Sequence, residues 1–433
     1  MLDINLIREN PNQVKDAVAK KQMDPSLVDQ LLKVDQQYRD QLQQIEKIRA
    51  ERNTLTKENI NRGKEIKNQL KQLEPQLSTL NSQLSTLITQ IPNLVHPETP
   101  HGKSEDDNKE HRVFGDIPKF DFQPKDHLTL GKDLDLLDFE AGAKVAGSQF
   151  YYLKNEAVLL EFALIQYALE TLIKEGFTPF ITPDLARSRY YLGTGYNPRG
   201  DEAQTYEIKN EDLGLIATAE TTMAGYHADE TFNEQDLPKK YVAVSHCFRQ
   251  EAGAYGKFSK GLYRIHQFTK VEMFTYTLPS ESDQMHLHLL EMEEKLWQGL
   301  GIPYRVLEMC DADLGAMAVR KFDLEAWMPG KGQNGEWGEV TSTSNCTDYQ
   351  ARNLNIKYKS SSSPKQKSPL SNLDKKLETR NSKLNFVHML NGTAIAMSRA
   401  PIAILENYQQ ADGSVVIPEV LRKWIGKDKI EPR

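Results

Sequence analysis

The chain has 433 residues, 39% of them hydrophobic and 27% charged, with a formal net charge of −7. That length suits two or three domains around a large core, and the acidic balance excludes a protein that binds nucleic acid over its whole surface. No run of 18 apolar residues marks a membrane span. Met1-Leu2-Asp3-Ile4-Asn5 opens neither a signal peptide nor, with the acidic residues that follow, a transit peptide, so no membrane partner is expected. Cys247, Cys310 and Cys346 lie far apart without CxxC or His-rich spacing. A reducing compartment and no zinc are expected.

Residues 1–24 read as a short helical segment ahead of Pro25. From Ser26 apolar residues recur at threes and fours with one seven-residue gap (Leu27, Leu31, Val34, Tyr38, Leu42, Ile45, Ile48, Leu55), then again from Ile66 through Leu70, Leu73, Leu77, Leu80, Leu84 and Leu87 to Ile91. The second run is a heptad seam. Asn61-Arg62-Gly63 between the runs is turn chemistry, so an antiparallel helical hairpin is expected over about 26–91 with its tip near 61–63. Each helix would be roughly 45 Å long at 1.5 Å per residue, and Pro75 should kink the second. Between Lys47 and Lys71 stand eight basic residues (Lys47, Arg49, Arg52, Lys57, Arg62, Lys64, Lys67, Lys71) against Glu51, Glu58 and Glu65, a local charge of +5. On its own this fits a solvated coiled-coil surface as well as an RNA contact.

Residues 93–115 are polar and read as a linker. Ala157 to Glu175 reads as an apolar helix stopped by Gly176 and followed by an extended Phe177–Pro183. Thr218-Ala219-Glu220 has the pattern of a helix N-cap. Tyr241 to Phe248 and Gln267 to Phe274 read as two strands joined by a loop carrying Gly253, Gly256 and Gly261. Period two puts Phe268, Lys270, Glu272 and Phe274 on one face, with Arg249 and Glu251 sharing a face on the incoming side. A buried sheet face tolerates so many charges only if they pair or bind something polar. Lys359 to Glu378 is a basic, Ser-rich stretch that reads as a solvated insertion, about 359–380. No P-loop or Rossmann glycine pattern is present.

Phe248-Arg249-Gln250-Glu251-Ala252-Gly253, followed by Gly261-Leu262-Tyr263-Arg264-Ile265-His266-Gln267-Phe268-Thr269-Lys270-Val271-Glu272-Met273-Phe274, resembles motif 2 of the class II aminoacyl-tRNA synthetases. The form is that of the seryl-tRNA synthetases, "FRxEAG…GLxRxHQFxKVEMF". The 157–183 region resembles motif 1, which builds the dimer interface in that family. Thr218-Ala219-Glu220 resembles its "TAE" loop, and Glu339-Val340-Thr341-Ser342 its "EISS" strand with Thr for Ser. Leu390 to Arg399 resembles motif 3, with Ala394 and Ser398 where glycines are usual. The likeness runs from Met1 to about Leu421.

The resemblance implies an α+β fold: a class II antiparallel sheet core with flanking helices, plus the N-terminal helical hairpin. It implies a tRNA-binding domain at 1–115 and a catalytic domain at 116–433. The activity implied is formation of seryl-adenylate from L-serine and ATP, then transfer of serine to the 3′ end of tRNA(Ser), and in the family also tRNA(Sec). A homodimer is implied, in the cytoplasm or an organelle. Arg249, Glu272 and Arg399 would be catalytic. Serine would meet Thr218, Ala219, Glu220, Arg249, Glu272 and Thr393. ATP would meet Arg249, Gln250, Glu251, the backbone of Ile265, Phe268, Glu339, Val340, Thr341, Ser342 and Arg399, with adenine between Phe268 and Arg399. Glu339 and Ser342 would hold Mg²⁺ through hard oxygen ligands. Arg49, Arg52, Lys57, Arg62, Lys64, Lys67, Lys257 and Lys260 would face tRNA. A bare Glu272–Lys270 salt bridge remains open for that pair. Two other readings stand beside the ligase: an idle paralogue that binds RNA or a partner through the arm, and an enzyme loading serine onto a carrier protein.

Overall fold

The structure, a computed structural model, describes residues 1–55, 59–196, 204–251, 261–360 and 384–433. Lys57, Lys257 and Lys260 and most of the 359–380 insertion lie outside the described residues. Contacts divide the chain into two compact units, Met1–Val95 and His96–Arg433.

In the first unit the short helices Ile4–Glu9 and Pro11–Lys20 precede the long helices Ser26–Thr54 and Ile60–Gln90. The heptad positions meet as the spacing requires: Ile45, Ile66 and Leu70 are buried together, with Ile48, Leu55, Leu73 and Leu77 packed around them. The tip is not at 61–63. The first helix ends at Thr54 and the second starts at Ile60, which leaves Asn61-Arg62-Gly63 inside the opening turn of the second helix. A helical glycine costs only about 1 kcal/mol against alanine, less than burying Ile66 and Leu70 returns. Pro75 lies within the second helix on its exposed side.

The second unit is built on an eight-stranded sheet: β1 (Lys109–Phe114), β2 (Thr178–Ile181), β3 (Lys239–Phe248), β4 (Gln267–Thr277), β5 (Tyr304–Glu308), β6 (Arg320–Met328), β7 (Glu336–Asn345) and β8 (His388–Ala396). Their spatial order is β1-β5-β6-β7-β8-β4-β3-β2. Neighbours are antiparallel except β2 and β3. Residues 96–114, expected as linker, belong to this unit. His96 N donates to Val319 O at 2.9 Å, and β1 pairs with β5. Every residue of β1 is exposed. An edge strand wet on both faces has no apolar alternation, which is why it reads as linker in the sequence.

The helices Glu156–Lys174 and Ser282–Leu300 bury one face of the sheet, where Val271 and Met273 join Leu160, Leu164, Leu296 and Trp297 in the main core. Gly176 ends the first of these helices at φ 84°, a conformation that favours glycine. On the other face the helix Ala219–Tyr226 covers Phe274 and Tyr276. The middle of that second face is left open.

Candidate active site

The open face is where the charged strand residues converge. Lys270 and Glu272 project from β4, both buried, and form an ion pair of 2.6 Å. Thr393, opposite Glu272 on β8, donates to its carboxylate at 3.3 Å. Arg249 N donates to His266 O, closing the strand pair just beyond β3, and its guanidinium lies 5.4 Å from the centre of the Phe268 ring. Glu251, at φ 53°, pairs with Arg264 at 2.7 Å.

Two adjoining cavities follow. The first, about 500 Å³, is walled by Glu251, Tyr263, Ile265, Phe268, Val340, Thr341, Ser398 and Arg399. The second, about 1000 Å³, is walled by Tyr196, Glu220, Glu272, Asn391 and the segment Asp313–Ala318. Arg249, Lys270, Glu339, Ser342 and Thr393 belong to both.

Two β-bulges make this possible. Glu339 and Ser342 are three apart, so a regular strand would point them to opposite faces. Pairing with β6 skips Val340, and both residues then reach the cavities. The Thr341 hydroxyl is turned the other way, donating to Glu293 at 2.8 Å. On β8 the register skips Ala394, which brings Thr393 and Ala396 to one side. Ala394 is fully buried in the core, and neither it nor Ser398 has a positive φ. The usual glycines are therefore not needed for backbone freedom at these positions. Gly392 is closely packed: a Cβ there would lie 3.0 Å from Glu293 Oε1 and 3.1 Å from the Thr343 hydroxyl, so a neighbour would have to shift.

Buried charge in the site is compensated locally. Glu220 Oε1 accepts from Gln350 at 2.6 Å and Asn391 at 3.0 Å, while Oε2 accepts from the Tyr196 hydroxyl at 2.8 Å. Burial, with Glu272 adding to it, still pushes the Glu220 carboxyl above its ordinary value. Burial likewise pushes Asp323 up to about 7, against the neighbouring Lys321 ammonium. Desolvation is the largest influence on Glu339, but Lys321, Arg399, Arg249 and Lys270 outweigh it and hold that carboxyl below the usual range.

Most of the expected serine and ATP residues are brought together here; three, Thr218, Ala219 and Gln250, line neither cavity. Thr218 and Ala219 are buried; the Thr218 hydroxyl caps the helix by accepting from Glu220 N at 3.3 Å. The Gln250 amide turns away to Thr205 O at 2.6 Å. Arg399 lines the first cavity together with Phe268, where it lies 5.6 Å over the Tyr263 ring and donates to Glu339 O at 3.1 Å. Tyr196, Lys270, Asp313–Ala318, Lys321, Gln350 and Asn391 were not singled out from the sequence as site residues. Of these only Lys270 carried a signal, as a charge on the face already recognised.

Residues 1–95 match the family model described as Seryl-tRNA synthetase N-terminal domain, and residues 205–374 match tRNA synthetase class II core domain (G, H, P, S and T). The serine–tRNA ligase of Dictyoglomus thermophilum is 50% identical over the full length of both chains. The chain belongs to the seryl-tRNA synthetase family. Another member, the serine–tRNA ligase of Treponema denticola, is 50% identical over 99% of this chain and 100% of its own. The crystal structure of seryl-tRNA synthetase from Pyrococcus horikoshii complexed with ATP superposes with a TM-score of 0.88 at 40% identity, covering 100% of both chains. The α+β architecture read from the motifs is thus that of the family: a class II core preceded by a helical arm.

Proposed function

We propose that the two cavities form one adenylation site and that this family member acts as a serine–tRNA ligase. It joins L-serine to ATP as seryl-adenylate and then passes serine to the 3′ end of tRNA(Ser), with tRNA(Sec) as a further acceptor. The observation that carries this reading is the shared wall. Arg249, Lys270, Glu339, Ser342 and Thr393 line both spaces, so a nucleotide in one and an amino acid in the other would meet there.

In this reading Arg249 grips the α-phosphate and the serine carboxylate, since a guanidinium meets two oxygens at once. Glu251 and the Ile265 backbone meet adenine, and Phe268 and Arg399 offer a ring face and a planar cation at the same cavity. Glu272 and Glu220 receive the ammonium, and Thr393 the hydroxyl. Thr218 and Ala219 act by holding Glu220 at the helix start. Gln250 acts by fixing the strand end through Thr205. Val340 and Thr341 act by setting the bulge.

Mg²⁺ fits the oxygen donors Glu339 and Ser342, beside a buried Asp323 Oδ1 that has no hydrogen-bond partner. Among the described residues no cluster of three His, Cys, Asp or Glu side chains forms a metal cage. That suits an ion completed by substrate phosphates. When bound it would neutralise phosphate charge.

A homodimer is supported by apolar side chains left exposed on the motif 1 region: Leu159, Phe162 and Ile173 on its helix, and Ile181, 87% exposed, on β2. A cytoplasmic setting suits three free, buried cysteines. No helix among the described residues is long and apolar enough to cross a membrane.

The deciding experiment is ATP–pyrophosphate exchange. Serine should drive it, and threonine, alanine and glycine should hardly do so. Exchange that ignores serine would overturn the proposal.

A further inference from the structure

We propose that Lys270 is a second catalytic cation, which leaves Glu272 when serine binds and moves to the oxygens that react. The inference rests on the adenylation reading above. Lys270 Nζ lies 2.6 Å from Glu272 Oε2 and donates to the Thr393 hydroxyl at 3.5 Å; that hydroxyl in turn donates to Glu272. All three side chains are less than a tenth exposed. The carboxylate that should receive the serine ammonium is therefore already neutralised.

Serine arrives as a zwitterion whose ammonium Glu220 and Glu272 would share, so at Glu272 it would meet Lys270 on a carboxylate that is already paired. Two cations confined there repel strongly, because the surroundings screen them poorly. One must leave, and the anions that enter with the substrates are the serine carboxylate and the α-phosphate. Lys270 lies on the wall common to both cavities, so both anions come within its neighbourhood. A lysine is built for such a move: a compact charge on a flexible four-carbon stem.

The other cations of the site are held elsewhere. Arg249 stacks on Phe268, Arg399 lies over Tyr263, and Lys321 pairs with Asp323 at 3.3 Å. Among the described residues Lys270 is the cation whose partner the amino acid needs. In the step itself a serine carboxylate oxygen forms a bond to the α-phosphorus. The bond from that phosphorus to the bridging oxygen breaks, and pyrophosphate leaves with the electron pair. No proton moves. Negative charge gathers at the α-phosphate in between, where Lys270 would act beside Arg249.

The exchange predicts coupling. ATP offers Lys270 a new anion, so serine should bind more tightly once the nucleotide is present, by about tenfold, within the ordinary range of such couplings. The probe is calorimetric titration of the full chain with L-serine, with and without an ATP analogue carrying a methylene bridge between the α- and β-phosphates. Lys270→Gln keeps a hydrogen-bond donor for Glu272 but removes the charge. It should bind serine at least as well as the parent without the analogue and gain nothing from it. Its kcat for pyrophosphate exchange should fall about 100-fold, as for loss of a group that stabilises transition-state charge. Lys270→Arg should recover part of both.

Absence of coupling in the parent overturns the inference. So does a Lys270→Gln variant that binds serine tenfold more weakly with coupling intact, which is the pattern of a residue that merely holds Glu272. Should Lys270→Gln fail to fold, a crystal structure of the parent with serine and the analogue decides: the Lys270–Glu272 distance should open well beyond 2.6 Å. An unchanged pair sinks the idea. A parent without serine-driven exchange would instead count against the adenylation reading.

Discussion

Between Lys47 and Lys71 the described charges of the helical arm face water, whereas in the site Lys270 and Glu272 of the sheet and Glu220 of the helix above it are each less than a tenth exposed. The arm needs little to hold its charges. Arg62 pairs with Glu51 at 2.6 Å and Glu65 at 3.0 Å, and Arg49 with Glu74 at 2.8 Å, all at half-exposed positions where salt screens them and water competes. The sheet face cannot be so casual. A buried charge that loses its partner costs about 3–5 kcal/mol, so each group there is pinned by two or three others. Exposed charge is individually weak and additive, suited to a long polyanion met at many points. Buried charge is cooperative and specific, suited to one small zwitterion and one triphosphate.

If that contrast is right, the largest effect of a single substitution should come from the sheet face. Arg249→Ala should lower ATP–pyrophosphate exchange about 1000-fold or more, since it removes the cation assigned to the reacting phosphate. Its circular dichroism and its mass in solution should match the parent. A loss within tenfold would mean that the buried cations substitute for one another and are not specialised.

The next effect is on stability and separates the two units. His286 is buried in the second unit, with Nε2 set to donate to Thr343 O at 3.1 Å and Phe322, Arg320, Asp283 and His96 around it. Burial lowers its pKa from 6.5 to about 4. The unfolded chain therefore binds a proton that the folded chain refuses, between pH 6.5 and about 4. Stability is full above pH 6.5 and falls through that window. At about 1.4 kcal/mol per pH unit the loss is about 3 kcal/mol by pH 4. The first unit contains no histidine, so urea melts should show the second unit weakening first as the solution is acidified. His286→Gln should flatten the dependence. An equal slope with and without His286 would break the assignment.

The same contrast explains what could be read in advance. Repeating patterns were legible: the heptads at Ile66, Leu70 and Leu73, and the alternation that put Lys270 and Glu272 on one face. Those depend on neighbours two to seven residues away. The hairpin tip was misplaced because Asn61-Arg62-Gly63 is good turn chemistry that helix packing overrode. The bulges at Val340 and Ala394 leave no periodic trace, yet the first lets both Glu339 and Ser342 reach the site and the second brings Thr393 and Ala396 to one side. Gln350 and Tyr196 meet Glu220 only through the folded chain, and no local pattern announces a long-range hydrogen bond. Arg399 shares the first cavity with Phe268, but its contacts with the Tyr263 ring and with Glu339 O leave no trace in the sequence. Type and neighbourhood were readable there; orientation was not.

The smallest effect is expected on the arm, and it tests the contrast from the other side. Arg49 and Arg62 already hold carboxylates, whereas Arg52, Lys64 and Lys67 are exposed with no ion-pair partner among the described residues. An arginine that must give up a carboxylate gains less from a phosphate than a cation that starts in water. Replacing Arg52, Lys64 and Lys67 together by alanine should raise the KM for tRNA in the charging reaction about tenfold. The slope of log KM against log salt should fall by about two to three, since each of the three phosphate contacts contributes a little under one. Serine-driven pyrophosphate exchange should not change, because no charge of the sheet face is touched. The double replacement of Arg49 and Arg62 should do less, about twofold to threefold, with a slope near that of the parent. If the two paired arginines mattered more than the three free cations, the ion pairs would be holding arginines in place for RNA, and exposed charge on the arm would be as organised as buried charge on the sheet.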